Sequence, residues 1–274
     1  MENERIRVAL TGNPNVGKTT LFNVITGSRQ HVGNWPGVTV EKKSGFKNYK
    51  GYEIEVVDLP GTYSLTAYSM DEIVARDFIV EEKPDVVVQI VDATNIERNL
   101  YLTTQLMELG SKMVIALNMY DLATERGDRL HVEKMEKLLG VPVVLTIASE
   151  NIGIHELLDT VIAEKQKEKH HAREIGYGDE IESKIIEIEK VLSQDKELVA
   201  RYPLRWLAVR LLDGDENIQR KIAGSPIAPQ IKSILERIDI EEYEALMADK
   251  RYEIISAMFP QMCERCTSRM TTSD

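Results

Sequence analysis

Polar and apolar residues alternate through Arg5-Ile6-Arg7-Val8-Ala9-Leu10 and end apolar, which predicts a strand that enters the core. Leu21, Phe22, Val24 and Ile25 then recur at helical spacing. Residues 28–40 keep no period, and Gly33, Pro36 and Gly37 punctuate them, so this stretch reads as a loop. Residues 41–50 and 53–58, split by the turn signal Lys50-Gly51, read as a hairpin. Two continuous apolar runs, at 85–92 and 113–118, have the pattern of strands covered on both faces. Helical patterns at 99–109 and 132–139, a strand at 141–146 and a helix at 154–165 complete the series, with Leu157, Leu158, Val161 and Ile162 on one face. Such alternation predicts a mostly parallel sheet of six to seven strands flanked by helices.

From residue 165 to Gly178 the apolar pattern lapses into a Lys/Glu/His-rich stretch, and beyond it no strand candidate remains. Ile181, Ile185, Ile188 and Leu192 follow helical spacing, as do Ile227, Ile231, Ile234 and Ile238. Tyr202, Trp206, Val209 and Leu212 predict a third helix, and the set from Tyr243 to Met258 a fourth. Gly214, Gly224-Ser225-Pro226 and Pro229 mark the breaks. The expected division is an α/β domain over 1–168, an all-α bundle over 169–262, and a tail over 263–274.

Composition narrows the setting. Of 274 residues 43% are hydrophobic and 29% charged, as in ordinary soluble domains. No apolar run approaches the roughly eighteen residues of a membrane span, and no signal peptide opens the chain, so the expected location is cytosolic. The formal charge of −11 counts against a nucleic-acid partner, which demands clustered Lys and Arg. Both cysteines, Cys263 and Cys266, come too late to staple a fold, which fits a reducing compartment.

Between the first strand and the first helix lies Gly12-Asn13-Pro14-Asn15-Val16-Gly17-Lys18-Thr19, a full match to G-x-x-x-x-G-K-[ST], with Thr20 beside it. Strand, glycine-rich loop and helix direct a row of N–H groups at one anion. Lys18 is expected at the β- and γ-phosphates and the Thr19 hydroxyl on Mg²⁺. Asp58 and Gly61 form D-x-x-G at a strand end, where a carboxylate holds Mg²⁺ through water and a glycine N–H approaches a γ-phosphate. Asn118-Met119-Tyr120-Asp121 forms N-x-x-D. The Asp121 carboxylate accepts from guanine N1–H and N2–H₂, donors that adenine lacks, and such a site can discriminate by ~10⁴ or more. Met119 stands where many guanine sites carry lysine. Ala148, with Ser149 after it, takes the place of a backbone donor to guanine O6. Thr39 is a candidate second hydroxyl for Mg²⁺ when a γ-phosphate is present.

The residue after D-x-x-G is Thr62, not a water-orienting glutamine, and no in-chain arginine finger is evident. Slow turnover is expected, on the order of 10⁻⁴ to 10⁻² s⁻¹. Asn15 is a candidate to ligate a monovalent cation in place of a finger, with carbonyls of Gly33, Asn34 and Trp35 completing the shell. The other reading of Asn15 is a plain turn residue.

The P-loop sequence, the segment Val32-Gly33-Asn34-Trp35-Pro36-Gly37-Val38-Thr39-Val40-Glu41, the segment Asp58-Leu59-Pro60-Gly61-Thr62-Tyr63-Ser64-Leu65 and Asn118-Met119-Tyr120-Asp121 together resemble the N-terminal cytoplasmic region of the FeoB family of ferrous iron transport proteins. The resemblance runs from about residue 5 to 162, and the stretch after 178 resembles that family's helical domain. It implies GTP and GDP as ligands with Mg²⁺, and K⁺ on Asn15 and the 33–35 carbonyls. It implies a helical domain that stabilises the GDP state, and a membrane-embedded iron-permease domain following this chain. The catalytic set would be Asn15, Lys18, Thr39 and Gly61. Assembly of identical copies is left open. The alternatives are a non-catalytic guanine-nucleotide sensor and a K⁺-type GTPase of ribosome assembly or tRNA modification. Cys263-x-x-Cys266 and His170-His171 read as free thiols and solvated linker.

Overall fold

The computed structural model describes residues 4–28, 30–66, 68–168 and 172–265. In chain order the first part comprises β1 (Glu4–Gly12), α1 (Lys18–Thr26), β2 (Gln30–Asn34), β3 (Glu41–Tyr49), β4 (Tyr52–Asp58) and α2 (Met70–Asp77). It continues with β5 (Val86–Asp92), α3 (Ile96–Glu108), β6 (Met113–Asn118), α4 (Tyr120–Glu125), β7 (Arg129–Leu130), α5 (Val132–Leu139), β8 (Val143–Thr146) and α6 (Ile154–Gln166). The second part is α7 (Asp179–Leu192), α8 (Lys196–Arg201), α9 (Leu204–Leu212), α10 (Glu216–Ile222), α11 (Ala228–Leu235), α12 (Ile240–Met262) and β9 (Cys263–Glu264).

Among the described residues seven strands form the main sheet in the order β2-β3-β4-β1-β5-β6-β8, with β3 antiparallel to both its neighbours and every other pair parallel. The β3–β4 hairpin turns through Lys50 (φ 47°) and Gly51 (φ 85°), two successive positive φ angles that match the twist of a two-residue hairpin. Ile6, Val8 and Leu10 of β1 face α1 and α6, packing on Leu21, Phe22, Leu157 and Val161. The opposite face buries Ala9, Val57, Val87 and Val91 against α2 and α3, and this cluster runs on without interruption into Ile185, Ile188, Trp206 and Met247 of the bundle. The two parts therefore share one apolar core on that side of the sheet.

Several expectations need correction. Residues 28–40 are not wholly loop: 30–34 form β2, an edge strand held by pairing to β3, though its residues are mostly exposed. A pattern with no buried face carries no period, so only the pairing reveals it. Among the described residues the bundle has six helices, not four. Short α8 and α10 start on Asp195 and Asp215, whose side chains accept from the first-turn N–H groups. Pro229 does not end a helix; it sits in the first turn of α11, where its missing N–H has no intrahelical role. A strand does follow the bundle, since β9 pairs with β7. Helix α2 was not anticipated, although Ser69 and Glu72 form a complete capping box at its start.

Candidate functional site

The P-loop lies where β1 ends and α1 begins, at the C-terminal edge of the parallel strands, the edge where open α/β sheets bind ligands. Its two outer glycines are required sterically. A Cβ on Gly12 would stand 2.6 Å from the Ile90 carbonyl oxygen, and one on Gly17 (φ 88°) would stand 2.3 Å from Asn118 Nδ2. Asn15 takes a positive φ of 68° and is exposed, with no hydrogen bond from its side chain among the described residues. Thr19 and Thr20 are exposed in the first turn of α1.

Lys18 Nζ donates to Asp58 Oδ1, so the two charges expected to face phosphate and metal neutralise one another here. Asp58 is 7% exposed, and burial pushes its carboxyl pKa above the ordinary value despite the opposing Lys18 ammonium. Binding of a phosphate–metal pair would exchange one set of partners for another, which avoids leaving either charge bare. Gly61 lies over the P-loop; a Cβ there would meet Pro14 at 3.5 Å. The Thr62 N–H donates to the Gly12 carbonyl at 3.1 Å, and its hydroxyl donates to the Ser64 carbonyl at 2.6 Å. Thr62 is buried and its hydroxyl committed, so it is not placed to orient a water.

Asn118 joins three motifs. Its Nδ2 donates to the Val16 carbonyl at 2.9 Å, and its Oδ1 accepts from the Ala148 N–H at 3.0 Å and from Thr146 Oγ1 at 3.3 Å. The Ala148 N–H is thereby occupied, whereas the Ser149 N–H has no protein acceptor among the described residues. Met119 (φ 61°) caps α4 and turns the chain so that Asp121 falls in its first turn. Among the described residues Asp121 Oδ1 is buried without a hydrogen-bond partner, an acceptor left unsatisfied by the protein. Guanine supplies donors to it, so the residues present fit a guanine nucleotide.

Sequence reasoning passed over Gly153. Its φ is 78°, and a Cβ would lie 2.1 Å from the Leu145 carbonyl oxygen. It seats the 147–152 loop, closed by reciprocal Ile147–Ile152 hydrogen bonds of 3.2 Å, that presents Ala148 and Ser149. The Asn-Ile-Gly spelling at 151–153 was the available signal.

Gly33, Trp35 and Thr39 are not gathered with the rest. Thr39 is exposed, and Gly33 lies in β2 opposite Lys42. Trp35 is buried edge-on against Phe78, with ring centroids 5.3 Å apart, and its carbonyl accepts from the Val38 N–H at 3.3 Å. Among the described residues no hydrogen bond joins 33–39 to the P-loop. Cys263 is a buried free thiol in β9, while Cys266, His170 and His171 lie outside the described residues. Among the described residues no group of three or more His, Cys, Asp or Glu could hold a metal ion, and no helix is long and apolar enough to cross a membrane.

A family profile described as ferrous iron transport protein B matches residues 6–161, and a second, the FeoB cytosolic helical domain, matches 177–264. The chain belongs to the FeoB family. It is 45% identical to the Fe(2+) transporter FeoB of Methanocaldococcus jannaschii over 97% of this chain and 40% of that protein. It is 41% identical to a fused Fe(2+) transport protein A/transporter FeoB of Porphyromonas gingivalis over 92% of this chain and 31% of that one. The chain thus spans about a third of the length of the curated relatives it matches. The cytosolic domain of T. maritima FeoB in a GDP form superposes with a TM-score of 0.85 at 37% identity, covering 95% of this chain and 99% of that one. Its GMPPNP form gives 0.83 at 36%, covering 94% and 99%. FeoB membership accounts for the architecture: a mostly parallel seven-stranded P-loop domain followed by a helical domain.

Proposed function

We propose that this chain binds GTP and GDP, hydrolyses GTP slowly, and acts as the nucleotide-controlled switch of a ferrous iron transporter, on the cytoplasmic face of its membrane. The observation that carries the nucleotide reading is Asn118, which ties P-loop, N-x-x-D motif and the 147–152 loop into one site beside the unpartnered Asp121 oxygen. Nucleotide binding is supported by the T. maritima relative, whose cytosolic domain was solved in GDP and GMPPNP forms. Iron transport is supported by relatives bearing that description.

The Gly12–Thr20 loop wraps the phosphates with backbone N–H groups, and Lys18 leaves Asp58 to reach the β- and γ-phosphates. Thr19 and Asp58 would hold Mg²⁺, with Thr39 added after the 33–39 segment leaves its place beside β3. Bound Mg²⁺ supplies charge neutralisation at the phosphates. Asn15 would hold K⁺ with the Gly33 and Trp35 carbonyls, and K⁺ supplies the positive charge a finger arginine otherwise brings. Gly61 directs its N–H at the γ-phosphate. Asp121 reads N1–H and N2–H₂, Ser149 donates to O6, and Met119 lies apolar against the base. With Thr62 committed to Ser64, the residue after D-x-x-G does not orient the attacking water, which supports turnover on the order of 10⁻⁴ to 10⁻² s⁻¹.

The test is GTP turnover in KCl against NaCl, for the parent protein and Asn15→Ala. Faster turnover in KCl that Asn15→Ala abolishes is expected. Equal rates in both salts overturn the cation role, and nucleotide binding without multiple turnover favours a non-catalytic sensor. Lys18→Ala should remove nucleotide binding altogether.

A further inference from the structure

The chain leaving the bundle is bound back to the guanine-reading element. β9 pairs antiparallel with β7, placing Leu130 opposite Cys263 and Arg129 opposite Glu264. The His131 N–H donates to the Met262 carbonyl at 2.9 Å, and the His131 ring meets the Glu264 carboxylate at 3.0 Å. β7 in turn is folded onto α4 through a tight turn, in which the Gly127 N–H donates to the Thr124 carbonyl at 2.8 Å and the Asp128 N–H to Ala123 at 3.0 Å. α4 is the helix whose first turn carries Asp121.

The two partners of this clasp differ greatly in rigidity. α4 has six residues, with Ala123 fully buried and Tyr120 partly buried against the core, and is too short to hold its position by itself. α12 has 23 residues, about 34 Å of helix, and packs on α3 and α5. Its Arg251 is buried in bonds to Glu108 and Asp213. A short, poorly anchored helix is thus held at one end by the Met119 turn and at the other by a strand pair that belongs to a long, well-anchored one.

We propose that the β7–β9 clasp is a positioning element for Asp121, so that release of guanine nucleotide is governed by whether the chain beyond Met262 stays paired with β7. The proposal rests on reading Asp121 as the guanine-binding carboxylate. It gives the segment at 263–264 direct leverage over nucleotide affinity, by a route separate from the phosphate side of the site.

The test uses the whole 274-residue chain and a fluorescent GDP analogue, with release followed by stopped flow. His131→Ala combined with Glu264→Lys should speed release about fivefold or more, the lower range of coupling between sites. The His131–Met262 bond makes Leu130–Cys263 a non-hydrogen-bonded pair, with Cα atoms about 4.5 Å apart, within disulfide reach. Leu130→Cys with Cys266→Ser, added to the unclasped protein, should restore slow release when oxidised and lose it on reduction. The fluorescent IDP analogue, lacking the N2 amino group that Asp121 accepts from, should respond much less than the GDP analogue. Unchanged release on unclasping, closure of the disulfide without slowing, or equal effects on both nucleotides each overturn the proposal. Failure of the parent chain to bind GDP at all overturns instead the guanine reading beneath it.

Discussion

Asn118 shows how much one side chain can organise. Its amide bonds reach two residues from distant parts of the chain, Val16 and Ala148, and a third, Thr146, next to it in the sheet. Asp121, by contrast, keeps a buried oxygen without a hydrogen-bond partner among the described residues. Asp121→Asn converts an acceptor into a donor facing the base C2 substituent. It should weaken GDP binding by tenfold or more and improve xanthosine diphosphate, which carries a carbonyl at C2, as read by competition titration. The carboxyl of Asp58 supplies a pH dependence. Burial raises its pKa above that of a free aspartate, so its anion is lost at a higher pH than usual as acid is added. Mg²⁺-dependent nucleotide affinity should therefore fade on acidification earlier than an unperturbed carboxylate would allow, while Asp58→Asn stays weak at every pH. The sign for folding is opposite. A raised acid costs stability at neutral pH, and that cost lifts as pH falls through its folded pKa.

Elements differ in how plainly the chain announces them. β5 and β6 are largely apolar and buried along their length, with Gln89 a buried polar exception, and α6 carries its buried residues at helical spacing, so local pattern and environment agree. β2 has almost no buried residue and exists by virtue of β3 beside it. The 147–152 loop is likewise a product of its seat. Gly153→Ala would force a Cβ onto the Leu145 carbonyl at a positive φ, with a cost of about 1–3 kcal/mol. Thermal melting should show that loss, and, with Ser149 as the proposed donor to the base, nucleotide titration should show weaker binding, because the Ser149 N–H moves with the loop. Trp35 makes the same point from the other side. The sequence suggested a carbonyl ligand, and the fold adds that its indole is buried against Phe78.

Across the whole molecule, the helical bundle is fused to the nucleotide domain by a buried polar network. Glu108 of α3 accepts from Arg210 and Arg251, and Tyr177 donates its hydroxyl to the same carboxylate. The two guanidinium groups, with the Tyr177 hydroxyl, hold Glu108 below the ordinary carboxylate pKa even though burial pulls it up. That contribution is present at pH above its unfolded pKa and is lost as pH falls through the lowered folded one. Glu108→Ala leaves two buried guanidinium groups short of a counter-charge. Urea denaturation should show a loss of about 3–5 kcal/mol. Contacts from α2 and the residues before it cross the same boundary: buried Arg76 of α2 pairs with Asp215, and the Tyr68 phenol, its pKa pushed up to about 12, donates to Glu244 of α12.

The sequence by itself determined the chemistry and most of the frame. The P-loop, D-x-x-G, N-x-x-D and Ala-Ser motifs are local spellings whose requirements, such as a missing Cβ at Gly17, are visible residue by residue. The covered strands are equally local, since burial on both faces leaves an unbroken apolar run. Tertiary structure alone decided what depends on a distant partner. It paired β2 with β3, turned the Ala148 N–H to Asn118, locked Thr62 onto Ser64, merged the bundle core with the sheet, and closed β9 on β7, the strand that follows α4. Each of these rests on a hydrogen bond or contact between residues far apart or on their backbone, where no periodicity or motif leaves a mark.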